Sequence, residues 1–304
     1  MDKNRLILLK NKQIINKNIL DLSKKNILDL SKNYNLSYYI CKNFGDAVSH
    51  LLYNFLSEIN LNNAGINPNT ISFLTVGSIL NRATNKHIVM GSGFIKENDK
   101  VISNPYLILS VRGPKTREKL LKMNIKCPEK YGDPLILFPL LYNKKQPCEY
   151  KIGIIPHYID KNSEKLNKLI NNLKNKNYKI NIINIVTGLD YKPFIDEINK
   201  CEYIISSSLH GIIMGLVYGK KTIFTKFSNN VIGDLFKFND FFLSLDINYK
   251  SIDCINTNLL ENIIQVNNTK LINIGIDIIN VCPFIKNDRK KNLINLWNEH
   301  IKNF

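Results

Sequence analysis

The chain has 304 residues, 44% of them hydrophobic, with 42 Lys and Arg against 25 Asp and Glu for a formal net charge of +17. That length accommodates two domains with cores of their own, and the charge favours nucleic acid, anionic lipid or an anionic substrate. The basic residues are spread along the chain, and no zinc-finger spacing or basic-aromatic run occurs, which argues against nucleic acid. The six cysteines are too far apart for a zinc or CxxC redox motif. No apolar run approaches the ~20 residues that cross a bilayer, and Leu6 to Leu9 is too short for a secretory leader. The expectation is a cytoplasmic protein with reduced thiols.

Residues 1–33 repeat NILDLSK at 18–24 and 26–32. Ile19, Leu22, Ile27 and Leu30 share a helical face, so 1–35 reads as a basic helical extension. It either packs on the first domain or lies on the anionic inner face of the membrane. A strand at Leu36 to Ile40 feeds Asn43-Phe44-Gly45-Asp46 and a helix from Ala47 to Ile59. Asp46 caps that helix or faces a ligand cleft at the carboxyl end of a parallel sheet. Further strands at Ile71 to Val76 and His87 to Met90 end in Gly77-Ser78 and Gly91-Ser92-Gly93. The second turn is a weak dinucleotide fingerprint, and its backbone amides read as cleft lining. The strand Tyr106 to Val111 ends in Arg112-Gly113-Pro114, with Pro114 opening a helix to about Met123. Arg112 serves a loop salt bridge or an anion in the cleft.

Residues 143–149 read as a linker. A second alternating series follows. Its strand Lys151 to Ile155 ends in His157, and a helix covers Ser163 to Asn175. A strand covers Lys179 to Asn184, with a helix at Pro193 to Lys200. The strand Tyr203 to Ser206 passes through Ser207 and Ser208 into an apolar helix, Leu209 to Tyr218, with His210 in its first turn. A strand Lys221 to Phe224 ends near Lys226, and Arg289 to His300 forms a last helix. A helix start of this kind favours an anion. Taken alone, these residues read first as a capped core helix with a satisfied histidine. With His157 and Lys226 also at strand ends, three polar sites share one rim, which favours a site. No Walker loop, GxSxG, HExxH or Asp-x-Asp is present.

Taken together, NFGD (43–46), VGSIL (76–80), MGSGF (90–94), VRGP (111–114), GDP (132–134), IIPHY (154–158) and SSSLHG (206–211) resemble the polysaccharide pyruvyl transferases, in particular the exopolysaccharide ketal-forming branch. The resemblance runs from about 36 to 285 and leaves out 1–33. It implies an α/β, GT-B-like fold of two Rossmann-like domains with parallel sheets facing a cleft. The domains are an acceptor side at 36–146 and a donor side at 147–285, and residues 286–304 form a helix crossing back. It implies phosphoenolpyruvate as donor and a polysaccharide or lipid-linked oligosaccharide as acceptor, with no metal or organic cofactor. His210, His157 and Asp46 are the catalytic candidates. Arg112, Ser207, Ser208, Leu209, Gly211 and Lys226 are the donor-binding candidates. Asn43, Gly45, Gly77, Ser78, Gly91, Ser92 and Gly93 are the acceptor-side cleft candidates. Some members carry Arg immediately before Leu-His-Gly, where this chain has Ser208, so either the helix amides, Lys226 or another cation replaces it, or the donor site has changed. Two alternatives are a GT-B glycosyltransferase using a nucleotide sugar and a non-catalytic glycan-binding relative.

Overall fold

The computed structural model describes residues 35–37, 42–63, 71–233, 235–253, 255 and 258–304. Residues 1–34 of the N-terminal extension, residues 38–40 of the first expected strand, Cys41 and Cys254 lie outside them. Two parallel sheets organise the chain. The first has five strands in the order β2-β1-β3-β4-β5: β1 Asn35–Ser37, β2 Asn62–Asn63, β3 Ser72–Leu74, β4 His87–Met90 and β5 Leu107–Ser110. The second has four in the order β7-β6-β8-β9: β6 Tyr150–Ile155, β7 Ile180–Ile182, β8 Cys201–Ser206 and β9 Lys221–Phe224. Every strand pair is parallel.

The helices are α1 Phe44–Ser57, α2 Pro114–Lys122, α3 Phe138–Leu141, α4 Glu164–Asn175, α5 Tyr191–Asn199, α6 Leu209–Val217, α7 Phe236–Ser244, α8 Asn268–Val281 and α9 Asn287–Lys302. Expected and observed elements agree over most of the alternation. Helices α7 and α8 have no counterpart among the expected elements. Aromatic crowding in α7 and Asn-Ile alternation in α8 blur the helical period.

Strand side chains alternate between two cores. Phe73, Ile88 and Leu109 enter one cluster, while Leu74, Val89 and Ile108 enter another on the opposite face of the first sheet. The first cluster is continuous across both sheets. Phe44, the first residue of α1, lies edge-on to Phe138 at 5.1 Å and meets Phe194 of α5 at 4.6 Å between ring centroids. Its backbone N–H also donates to Ile185 O at 2.9 Å, and Asn43 bridges antiparallel to Val186. Helix α9 spans the two halves. Arg289 donates to Phe55 O of α1 at 3.0 Å, and His300 Nε2 lies 2.7 Å from Val217 O of α6. Its Trp297 is fully buried and donates from Nε1 to Ile272 O at 3.2 Å. The strand ends of the two sheets are thereby held facing one another. Among the described residues, no helix is long and apolar enough to cross a membrane.

Candidate functional site

Between the facing strand ends lies a cavity of about 530 Å³. The first half contributes Lys42, Asn43, Asp46, Ser78, Asn81 and Arg82, and the second contributes His157, Tyr158, Ser208, Leu209, His210 and Lys237. Three cations of the lining, Lys42, Arg82 and Lys237, face one carboxylate, Asp46, so the cavity favours an anionic ligand.

His210 is one of the points where the halves meet. A Cβ on Gly45 would stand 2.0 Å from His210 Nδ1, so only glycine lets the imidazole seat against the start of α1. Asn43 Nδ2 lies 3.4 Å from the same nitrogen and donates to Asp46 Oδ2 at 2.9 Å. One short turn therefore places an imidazole, an amide and a carboxylate in contact or near contact. Burial lowers the His210 pKa. The carboxylates of Asp46 and Asp133 oppose that shift, while Lys237 and Arg112 add to it. His157 is pushed down to about 3, by burial first and then by Lys237 and His210. Both shifts favour the neutral imidazole.

The triple serine turn is braced from behind. Ser206 Oγ donates to Ile155 O at 2.7 Å and accepts from Ser208 N at 3.0 Å. Ser207 Oγ donates to Asp160 Oδ2 at 2.6 Å and accepts from His157 N at 2.9 Å. Ser228 Oγ reaches the other oxygen of Asp160. These bonds fix the start of α6, whose first N–H groups have no intrahelical acceptor, at the cavity wall formed by Ser208, Leu209 and His210. The Ser208 side chain makes no capping bond.

Known proteins share much of this chain. The profile of one family, described as "Polysaccharide pyruvyl transferase", matches residues 8–229. The chain belongs to the polysaccharide pyruvyl transferase family. The match begins inside the N-terminal extension, which the motifs leave out, and stops before α7. The chain is also similar to the uncharacterized protein L143 of Acanthamoeba polyphaga mimivirus, with 30% identity over 173 residues. That alignment covers 56% of this chain and 58% of L143, a little over half the length of each. A functionally uncharacterised protein of Klebsiella pneumoniae overlays with a TM-score of 0.43 at 14% identity, over 74% of this chain and 92% of that one.

The motif residues of this pyruvyl transferase family member divide into those that line the cavity and those that support it. His210, His157, Asp46, Asn43, Ser78, Ser208 and Leu209 line it. Several donor candidates do not. Arg112 is 0% exposed and bonded on all three nitrogens: Nε donates to Asp240 at 3.0 Å, one terminal nitrogen to Ser78 Oγ at 2.5 Å, the other to Phe94 O at 2.6 Å. It stands behind the cavity wall, bonded to groups of the protein, and is not among the lining residues. Ser207 is committed to Asp160, and Gly211 packs against Ser206 and Ile155. Lys226 lines a neighbouring depression with Lys96 and Asn229 rather than the cavity.

On the acceptor side, Gly91, Ser92 and Gly93 are buried and back the wall instead of lining it. Ser92 Oγ donates to Gly77 O at 3.0 Å, and Arg112 N donates to Ser92 O at 3.1 Å. Gly77 sits beside Asp46 Oδ1, and Gly45 beside His210. Sequence reasoning missed Lys42, Arg82 and Lys237 as lining cations. For Lys237 a signal existed. Lys237 and Asp240 lie three apart within an aromatic run whose Phe236, Phe238, Phe241 and Phe242 are all buried. A charged pair at that spacing in such a run is unusual for a solvated face. Among the described residues, no group of three or more His, Cys, Asp or Glu side chains could hold a metal ion.

The depressed His157 pKa has a consequence for folding. Its folded value of about 3 lies below the ordinary 6.5. As pH falls through that window the unfolded chain takes up a proton that the folded chain refuses, so stability falls with it. Urea midpoints measured across the window should decline less steeply in His157→Gln than in the wild type. Equal slopes would mean that the folded protein already carries a charged His157.

Proposed function

We propose that this chain is a pyruvyl transferase that moves the enolpyruvyl unit of phosphoenolpyruvate onto hydroxyls of a polysaccharide or lipid-linked sugar. The product is a pyruvate ketal and the leaving group is phosphate. The observation that carries this reading is the approach of His210 to Gly45, Asn43 and Asp46 inside a cation-rich cavity. A proton donor, a carboxylate base and an anion site are what the reaction needs together.

The chemistry follows from the electrostatics. In the ligand-free protein, burial and the neighbouring cations favour a neutral His210. A bound dianion offsets Lys237 and Arg112, and the imidazole gains a proton. His210 then protonates the methylene carbon of the donor, turning it into a methyl group and leaving the adjacent carbon electrophilic. A sugar hydroxyl adds to that carbon as Asp46 takes its proton. A second hydroxyl displaces phosphate and closes the ketal ring; its proton returns to the imidazole, and Asp46 passes the proton it took to the departing phosphate, which leaves as hydrogen phosphate. Asn43, bonded to Asp46 and beside His210, keeps base and acid in register.

The test is direct. The purified protein is incubated with phosphoenolpyruvate and a panel of bacterial surface glycans. Released phosphate and the ketal methyl resonance are measured together. Both should appear only with an acceptor, and phosphoenolpyruvate should raise the melting temperature. Protection by nucleotide sugars, with none by phosphoenolpyruvate and no phosphate release, would reject the reading in favour of a glycosyltransferase.

A further inference from the structure

Lys237 lies on α7, past the end of the family match, and its position is unusual. It lines the cavity yet is only 8% exposed. Among the described residues its ammonium makes no hydrogen bond and no ion pair; the Phe238 ring lies beside it, 5.3 Å from centroid to Nζ. Buried charges are normally paired, because an unpaired one gives up hydration with nothing in return. The same cavity receives the N-terminal turn of α6 through Ser208, Leu209 and His210. An ammonium that opens to the cavity with no hydrogen-bond or ion-pair partner among the described residues, beside a helix N-terminus, is complementary to one kind of ligand, a compact anion.

We propose that Lys237 is the cation that holds the donor's anionic group against the start of α6, the role expected from sequence for Arg112 and Lys226. The identity of the donor rests on the pyruvyl transferase reading; the anion site itself does not. Lys237 is charged near neutrality although burial and the Arg112 guanidinium bring its pKa down to about 8, with Asp46 and Asp160 opposing. The other groups facing it are His157 and His210, both shifted by its charge. On its own helix, Asp240 is committed to Arg112 and Thr116. Above about 8 the ligand-free protein loses this ammonium proton, and anion affinity falls with it.

The experiment titrates the full chain with inorganic phosphate and, separately, phosphoenolpyruvate, by calorimetry at neutral pH and at about pH 9.5. Wild-type affinity for both should drop at the higher pH. Lys237→Met should bind both about 10- to 100-fold more weakly at neutral pH and lose the pH dependence. Lys237→Arg should keep most of the affinity and lose the pH dependence, because guanidinium stays charged. In turnover the Met variant should raise KM for the donor more than it lowers kcat. Unchanged phosphate affinity in Lys237→Met, or a loss confined to kcat, overturns the proposal. Phosphate binding that depends on Lys237 without any turnover of phosphoenolpyruvate would keep the anion site and reject the pyruvyl transferase reading instead.

Discussion

His210→Ala is expected to lower phosphate release from phosphoenolpyruvate by about 10²–10⁴-fold, the usual range for a general acid. The folding cost should be about 1–2 kcal/mol. The ring is buried against Gly45, but its polar neighbour Asn43 stands 3.4 Å away, so truncation breaks no strong hydrogen bond there. Gly45→Ala provides the companion measurement. Its methyl would claim the space of the imidazole, so the ring must leave its seat. Activity should fall toward that of His210→Ala, and the double variant should be little worse than either single one. Turnover per folded molecule, read beside urea midpoints, decides the matter. A steep midpoint drop in His210→Ala with full activity in the surviving folded fraction would make this a packing histidine.

Arg112→Ala should act mainly on stability, with a loss of about 3–5 kcal/mol, the range for removing one partner of a buried ion pair. Arg112 and Asp240 are both 0% exposed and meet at 3.0 Å. Removing the guanidinium strands Asp240 without its countercharge and leaves Ser78 Oγ and Phe94 O without their donor. The effect reaches two helices. Gly113 is the N-cap of α2 and cannot cap it with a side chain, since a Cβ there would stand 1.9 Å from Asp240 O. Asp240 caps the helix instead, accepting from Thr116 N at 2.9 Å and Thr116 Oγ1 at 2.7 Å. The same carboxylate anchors α7 one turn after Lys237, so Arg112 positions the proposed anion-binding lysine through the helix that carries it.

Arg112→Lys should recover little of this, because one ammonium cannot reach three separate acceptors. Urea midpoints are the readout. A wild-type midpoint in Arg112→Ala, accompanied by weak donor binding, would return Arg112 to the cavity as a direct ligand.

Alternating apolar strands and amphipathic helices, broken by Asn-Phe-Gly-Asp, Gly-Ser and Ser-Leu-His-Gly turns, are set by residues within a few positions of one another. Period and turn chemistry therefore reveal the two parallel sheets and which residues stand at their strand ends. His210, His157 and Asp46 are legible as cavity residues for that reason, since the end of a parallel strand faces the cleft whatever the rest of the chain does.

The roles of Arg112 and Lys237 are not legible in the same way. Arg112 and Lys226 sit at strand ends as promisingly as His157 does. Whether a cation faces a ligand or a carboxylate depends on what folds against it, and the partner of Arg112 comes from 128 residues away. Helix α7, hidden in an aromatic run, delivers Asp240 to neutralise one cation and Lys237 to supply another. Local pattern thus marks the strand ends that border the cleft. Which of the charges there are cancelled and which stay unpaired is a property of the folded arrangement, because ion pairing and desolvation act through space, between segments that no local pattern connects.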